Sequence, residues 1–197
     1  MTQEDTQTYT VPVTDDTRRR MYEHRLGDDF LKEIEANTAD DGFQIEWDDT
    51  NRDKQEAVEN GKQGFIAETA FAEILDRAGI EYEWGGGEGE PDFVIEDKTI
   101  DVKSRQSKGN YRNLIKDYIM NNSDSVDFYL HTIVHYDPID RTEITAVEFV
   151  GYISNDEVEM IGQPTQLYDG NDYESQKKEV HPKHLKPIWK LLEIASA

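Results

Sequence analysis

Three carboxylates and one lysine near the middle of this chain have the types and the spacing for hydrolytic chemistry at a metal ion. Pro91-Asp92 leads into Phe93-Val94-Ile95, and after the turn Glu96-Asp97-Lys98-Thr99 comes Ile100-Asp101-Val102-Lys103. Short apolar runs on either side of polar turn residues predict a β-hairpin. Side chains alternate along a strand, so Asp101 and Lys103 share one polar face while Ile100 and Val102 point toward a core. Asp92 opens the partner strand and can come beside Asp101. Two neighbouring carboxylates repel unless a cation lies between them, which suits Mg²⁺, or Mn²⁺, with water completing the shell. A lysine on the same face can orient an attacking water or help to deprotonate it.

An acid two residues before a lysine occurs twice in the chain, at Glu96/Lys98 and Asp101/Lys103, so the triplet alone decides nothing. Context separates the two: the first lies in the turn and the second in the strand, and Pro-Asp occurs only at 91–92. Upstream, Gly64-Phe65-Ile66-Ala67-Glu68-Thr69-Ala70-Phe71-Ala72-Glu73-Ile74-Leu75 has helical periodicity, with Phe65, Phe71, Ala72 and Leu75 on one stripe. Glu68 falls on that stripe, where a carboxylate is costly unless paired, neutral or bound to a metal. The plain alternative is a partly exposed glutamate at the edge of a wide stripe.

A helix bearing Gly-Phe-Ile-Ala-Glu, then Pro-Asp, a hairpin and Asp-Val-Lys resembles the PD-(D/E)XK nuclease superfamily, the restriction-endonuclease-like fold. The resemblance covers about residues 53–153. It implies an α/β (α+β) core, a central mixed sheet flanked by helices; the N- and C-terminal helices expected from the pattern lie outside it. It implies Mg²⁺ held by Asp92 and Asp101 with the Val102 carbonyl, Glu68 supporting or binding a metal, and Lys103 positioning the nucleophilic water. Asp101 stands where the superfamily more often has Glu, and Gln106 is similar to a polar residue that some members carry after the lysine. The activity implied is metal-dependent hydrolysis of DNA phosphodiesters, and a homodimer would cut both strands.

Charge bears on this reading in two ways. The 197 residues hold 43 Asp and Glu against 21 Lys and Arg, a net charge of −22, and no cysteine. Lack of sulfur excludes disulfides, cysteine-ligated metals and thiol catalysis. So large an acidic excess, with few lysines, resembles proteins of salt-accumulating archaea and their viruses. It also fits a non-catalytic acidic interaction protein that mimics nucleic acid and occupies a DNA-binding partner. Acid repels DNA at low salt, but at molar salt the screening length falls to ~3 Å and only local charge counts. Locally, residues 103–116 (KSRQSKGNYRNLIK) carry five bases and no acid. Arg105, Lys108, Arg112 and Lys116 are candidate phosphate contacts, and Tyr111 can pack on a sugar or base.

The elements that must position these residues follow from pattern. Residues 1–17 read as a mobile acidic tail, and 18–197 as one domain. A helix is expected from Arg18 to about Asn37, a strand at Phe43–Trp47, and a helix from about Asp53 or Gly64 to Ala78, ended by Gly79. Ile80–Trp84 alternates as a strand, and Gly85-Gly86-Gly87-Glu88-Gly89 reads as a loop, since it lacks the Gly-Lys-Ser/Thr ending of a phosphate loop. Residues 109–121 are a helix or an extended loop. Strands are expected at Asp127–Tyr136 and Thr142–Ile153, a capping box at Ser154/Glu157, and a polar loop over 162–180. A last helix from about His184 to 195 presents Leu185, Ile188, Trp189, Leu192 and Ile194. His131 and His135 are assigned structural roles. No apolar stretch reaches the ~20 residues of a membrane span, and the N-terminus lacks signal-peptide character, so a soluble, cytoplasmic protein is expected.

Overall fold

The computed structural model describes residues 8–25, 54–85, 91–106, 113–116, 126–140, 143–164 and 177–195. Within them the chain is α+β: a mixed six-stranded sheet, a three-stranded sheet and four α-helices. Tyr9–Pro12 is β1 and Asp15–Arg25 is α1. Lys54–Ala78 is α2, followed by β2 (Glu83–Trp84), β3 (Phe93–Ile95), β4 (Lys98–Gln106) and β5 (Asn113–Lys116). Then come β6 (Phe128–Tyr136), β7 (Ile144–Ser154), α3 (Asn155–Ile161), β8 (Gln163–Pro164), β9 (Lys177–Val180), a 3₁₀ turn at Pro182–His184 and α4 (Ile188–Ile194).

The large sheet runs β1-β7-β6-β4-β3-β2, and the small one β5-β9-β8. Every named pair is antiparallel except β4 and β6, which run parallel with Asp101 opposite Tyr129 and Lys103 opposite His131. The alternation expected in β4 holds on its apolar side: Ile100 and Val102 enter the main core with Ala67, Phe71 and Leu75 of α2. Phe71 meets Phe93 edge-on at 5.0 Å between ring centres. A second apolar cluster, with Val126, Tyr129, Ile153, Val158, Val180 and Leu185, lies around α3 and β9.

Several expectations need correction. The expected tail contains β1, whose Val11 is buried and pairs with Val147 of β7. Helix α1 starts at Asp15 because Thr14 and Thr17 exchange backbone-to-hydroxyl hydrogen bonds at 3.2 Å, a reciprocal cap that sequence spacing did not bring out. Helix α2 takes the earlier of its two expected starts, and Ile80 N–H closes its end on the Leu75 carbonyl. Only Glu83–Trp84 of the segment 80–84 is strand. Residues 113–116 are neither helix nor loop but β5, and the supposed loop 162–180 contributes β8 and β9, of which β9 pairs with β5 on one side and β8 on the other. In the last helix Ile188 and Leu191 are buried, whereas Trp189 and Ile194 are exposed at 38% and 39%. The continuation of α1 to Asn37, the strand at 43–47 and Gly86–Gly89 lie outside the described residues. The Ser154/Glu157 capping box is formed as expected. Among the described residues no helix is long and apolar enough to cross a membrane.

Candidate active site

The hairpin β3–β4 turns through Glu96-Asp97, with Ile95 opposite Lys98 and Phe93 opposite Ile100. Continuing that register puts Asp92 beside Asp101. On its other flank the Asp92 carbonyl accepts from Gly85 N–H at 2.9 Å. A Cβ on Gly85 would sit 2.6 Å from the Pro91 carbonyl oxygen, so this close backbone approach requires glycine. The Asp92 carboxylate turns back onto β4, where its Oδ2 accepts from Val102 N–H at 2.7 Å. The parallel partner is fixed at its start by Asp127, whose carboxylate accepts from both Thr99 N–H (2.9 Å) and Thr99 Oγ1 (3.1 Å).

Asp101 is 7% exposed and forms an ion pair with Lys103, whose ammonium reaches its Oδ2. Alternation along the strand predicts that Asp101 and Lys103 share a polar face. Tyr129, beside Asp101 on β6, belongs to the second apolar cluster, so the charged face of β4 is covered as well as its apolar face. Glu68 is 6% exposed on α2, which decides against the edge-of-stripe alternative, and its Oε2 accepts from the Trp84 indole N–H at 3.4 Å.

Electrostatics tie the four groups together. Burial, then repulsion from Glu68 and Asp101, holds the Asp92 carboxyl well above the usual carboxylate range, against the opposing pull of Lys103 and the Val102 N–H. Burial alone would lower the Lys103 ammonium, but the field and hydrogen bond of Asp101, with Asp92 behind them, leave it raised. The lysine is therefore a cation and a hydrogen-bond donor at neutral pH. Across β6 His131 is fully buried, and burial followed by the Lys103 charge pushes it down to about 3, so it is neutral.

Neither a scan against protein-family models nor a search of curated proteins gives a match to this chain. The site must therefore be judged on its own residues. Among the described residues two buried carboxylates, Glu68 and Asp101, and the half-buried Asp92 face the Lys103 ammonium, a negative group that a divalent cation would suit, and hard oxygen ligands favour Mg²⁺ or Mn²⁺. Among the described residues no three His, Cys, Asp or Glu side chains are already gathered as a metal-holding group. The residues fit a cation held by a pair of carboxylates, with backbone oxygen and water completing its shell.

The expected site residues thus divide. Asp92, Val102, Asp101 and Lys103 meet on one hairpin, and Glu68 couples to Asp92 from α2. Arg105 and Gln106 continue β4, and a buried Nη1 of Arg105 has no hydrogen-bond partner among the described residues. Lys116 lies on β5, while Lys108, Tyr111 and Arg112 fall outside the described residues. Sequence reasoning missed Trp84, which holds Glu68, and the contribution of His131 beside Lys103. The position of Trp84, directly ahead of the glycine run that returns the chain to Pro91-Asp92, was the available signal for the first. His135 Nε2 lies 2.8 Å from Glu148 Oε2.

Proposed function

We propose that this chain is a metal-dependent nuclease that hydrolyses DNA phosphodiester bonds on a restriction-endonuclease-like core. The observation that carries the reading is the Asp92–Asp101–Lys103 group on one hairpin, with Asp101 buried and its two neighbours half-buried, and the repulsion between Asp92 and Glu68 on the helix before it. Asp92 and Asp101 would hold Mg²⁺ or Mn²⁺, with the Val102 carbonyl and Glu68 as further oxygen donors. Such an ion, when bound, activates water and stabilises charge on the phosphate. Lys103, kept protonated by Asp101, donates hydrogen bonds to the water or to a phosphate oxygen and is not the base. Glu68, fixed by Trp84, would take the proton of the attacking water on a carboxylate lone pair not engaged on the metal. The unpartnered Arg105 donor, two residues beyond Lys103 on the same strand face, suits a phosphate of the same strand.

The test is cleavage of plasmid and of oligonucleotides in Mg²⁺ at multimolar salt. Asp101→Ala is expected to abolish cleavage with the circular dichroism spectrum unchanged. Activity that survives both Asp101→Ala and Lys103→Ala would sink the assignment.

A second reading keeps the fold without the chemistry: an acidic interaction protein that occupies a basic, DNA-binding partner. Its support is the Lys103–Asp101 pair itself, in which one carboxylate already has a cation. Calorimetric titration with Mg²⁺ separates the two, since only the nuclease needs a binding heat that Asp92→Ala removes.

A further inference from the structure

Between α1 and β2 lies a cavity of about 480 Å³, lined by Arg20, Glu23, His24, Tyr82 and Trp84. That volume is within the range of small-molecule sites. Its walls form a stack: the exposed His24 ring lies on Trp84 at 3.7 Å between centres and 16° between planes, and Phe93 lies behind Trp84 at 5.6 Å and 19°. Arg20 sits 5.6 Å over the Trp84 ring, held by hydrogen bonds of 2.5 Å to Asp76 and to the Tyr82 hydroxyl. Flat faces at the opening, with donors and acceptors around them, select a flat ligand with polar edges.

Charge narrows the class. Arg20 is already neutralised by Asp76, and the Glu23 carboxylate, paired with Arg19 at 3.7 Å, also lines the cavity, so the walls offer no free cation for a phosphate among the described residues. A nucleobase fits better: its faces extend the aromatic stack, its N–H groups suit Glu23, and its carbonyl or ring nitrogen suits Arg20. Location supplies the link to chemistry, since the Trp84 that lines this cavity also donates to Glu68. A base seated here brings its own strand's backbone beside the carboxylates. Bases of an intact duplex are stacked and paired and must be extracted against both, whereas a single-stranded stretch offers one freely.

We propose that this cavity binds one unstacked nucleobase next to the cleaved bond, which makes single-stranded or frayed DNA the preferred substrate; the proposal rests on the nuclease reading for its polymer.

The experiment uses a single-stranded oligonucleotide and a set in which each position in turn is abasic, at high salt. Binding is read in Ca²⁺ from the emission of Trp84 in a Trp47→Phe/Trp189→Phe protein, and cleavage is read in Mg²⁺. One abasic position at a fixed offset from the cut is expected to weaken binding about tenfold, the scale of one base–aromatic stack, and to remove the quench. His24→Ala, at an exposed position, is expected to cause a similar loss that does not add to the abasic loss. Cleavage indifferent to every abasic position and to His24→Ala would overturn the base site and leave the nuclease standing. A base-dependent quench without cleavage would keep the base site and remove the nuclease. Neither quench nor cleavage would remove both.

Discussion

The Asp92 carboxylate accepts a 2.7 Å hydrogen bond from the backbone N–H of Val102, the residue between Asp101 and Lys103. One hydrogen bond thus sets the spacing between the two halves of the hairpin that carry the acids. It also holds a carboxylate where burial and two other acids oppose its charge. Five outcomes follow from this and neighbouring features.

Asp92→Asn keeps an oxygen for the Val102 N–H and removes a group whose ionisation the fold opposes. The metal-free variant is expected to melt a few degrees above the wild type, with cleavage lost by at least about a thousandfold. Mg²⁺ should raise the melting temperature of the wild type and leave the variant unmoved. Scanning calorimetry with and without Mg²⁺ checks this.

The same carboxyl makes metal binding pH-dependent. Its folded value is raised, so the metal-free folded state holds a proton that the unfolded chain has lost, and metal-free stability falls as pH rises through that raised value. A divalent ion displaces the proton. Mg²⁺ affinity should therefore increase with pH, with proton release in calorimetry run in buffers of different ionisation heat.

Lys103→Ala leaves Asp101 buried without its counter-charge, a loss on the order of 3 kcal/mol. Lys103→Arg should recover part of the stability. Because the lysine is raised, its contribution is complete below the unfolded lysine value and fades only as pH rises through the folded one. Urea midpoints at pH 7 and above pH 10 test both statements.

His131 is neutral inside the fold down to about pH 3, whereas the unfolded chain protonates its histidines near 6.5. The unfolded state binds the extra proton between those values, so stability is lost as pH falls through this window. His131→Gln should flatten the acid limb of the stability curve. Urea denaturation between pH 4 and 7 reads it directly.

Gly151 carries φ +149, and a Cβ there would meet the Lys186 carbonyl oxygen at 2.5 Å. Next to it, Tyr152 and Lys186 exchange two backbone hydrogen bonds of 2.8 Å that fasten the segment before α4 to β7. Gly151→Ala is expected to cost on the order of 2–3 kcal/mol and to expose Ile188 and Leu191. Faster hydrogen exchange confined to residues 185–195 would be the signature.

Periodicity made the hairpin and the α2 stripe legible, because alternation and helical spacing are local properties. Glu68 could be placed on an apolar face from its neighbours alone, and its burial follows. The depth of Asp101 could not be read, since it depends on Tyr129, 28 residues later, arriving on the same face through a parallel pairing. The small sheet escaped for a related reason: Asn113–Lys116 and Lys177–Val180 show no strand pattern separately and are defined by each other. The exposed Trp189 reflects which side of a short helix a β-bridge at Lys186 turns inward. Apolar content does not show that choice.

The first strand has a bearing on how the protein is handled. Tyr9–Pro12 covers the outer flank of β7, Val13 N–H adds a hydrogen bond to Thr145, and Arg18 grips Glu143 and the Ile144 carbonyl. A chain shortened to residue 18 would uncover a row of unsatisfied amides and carbonyls along an eleven-residue strand. A second copy could zip onto that row. Dimers or fibrils of the shortened protein would then record where it was cut, and only the longer chain can say whether two copies meet on DNA.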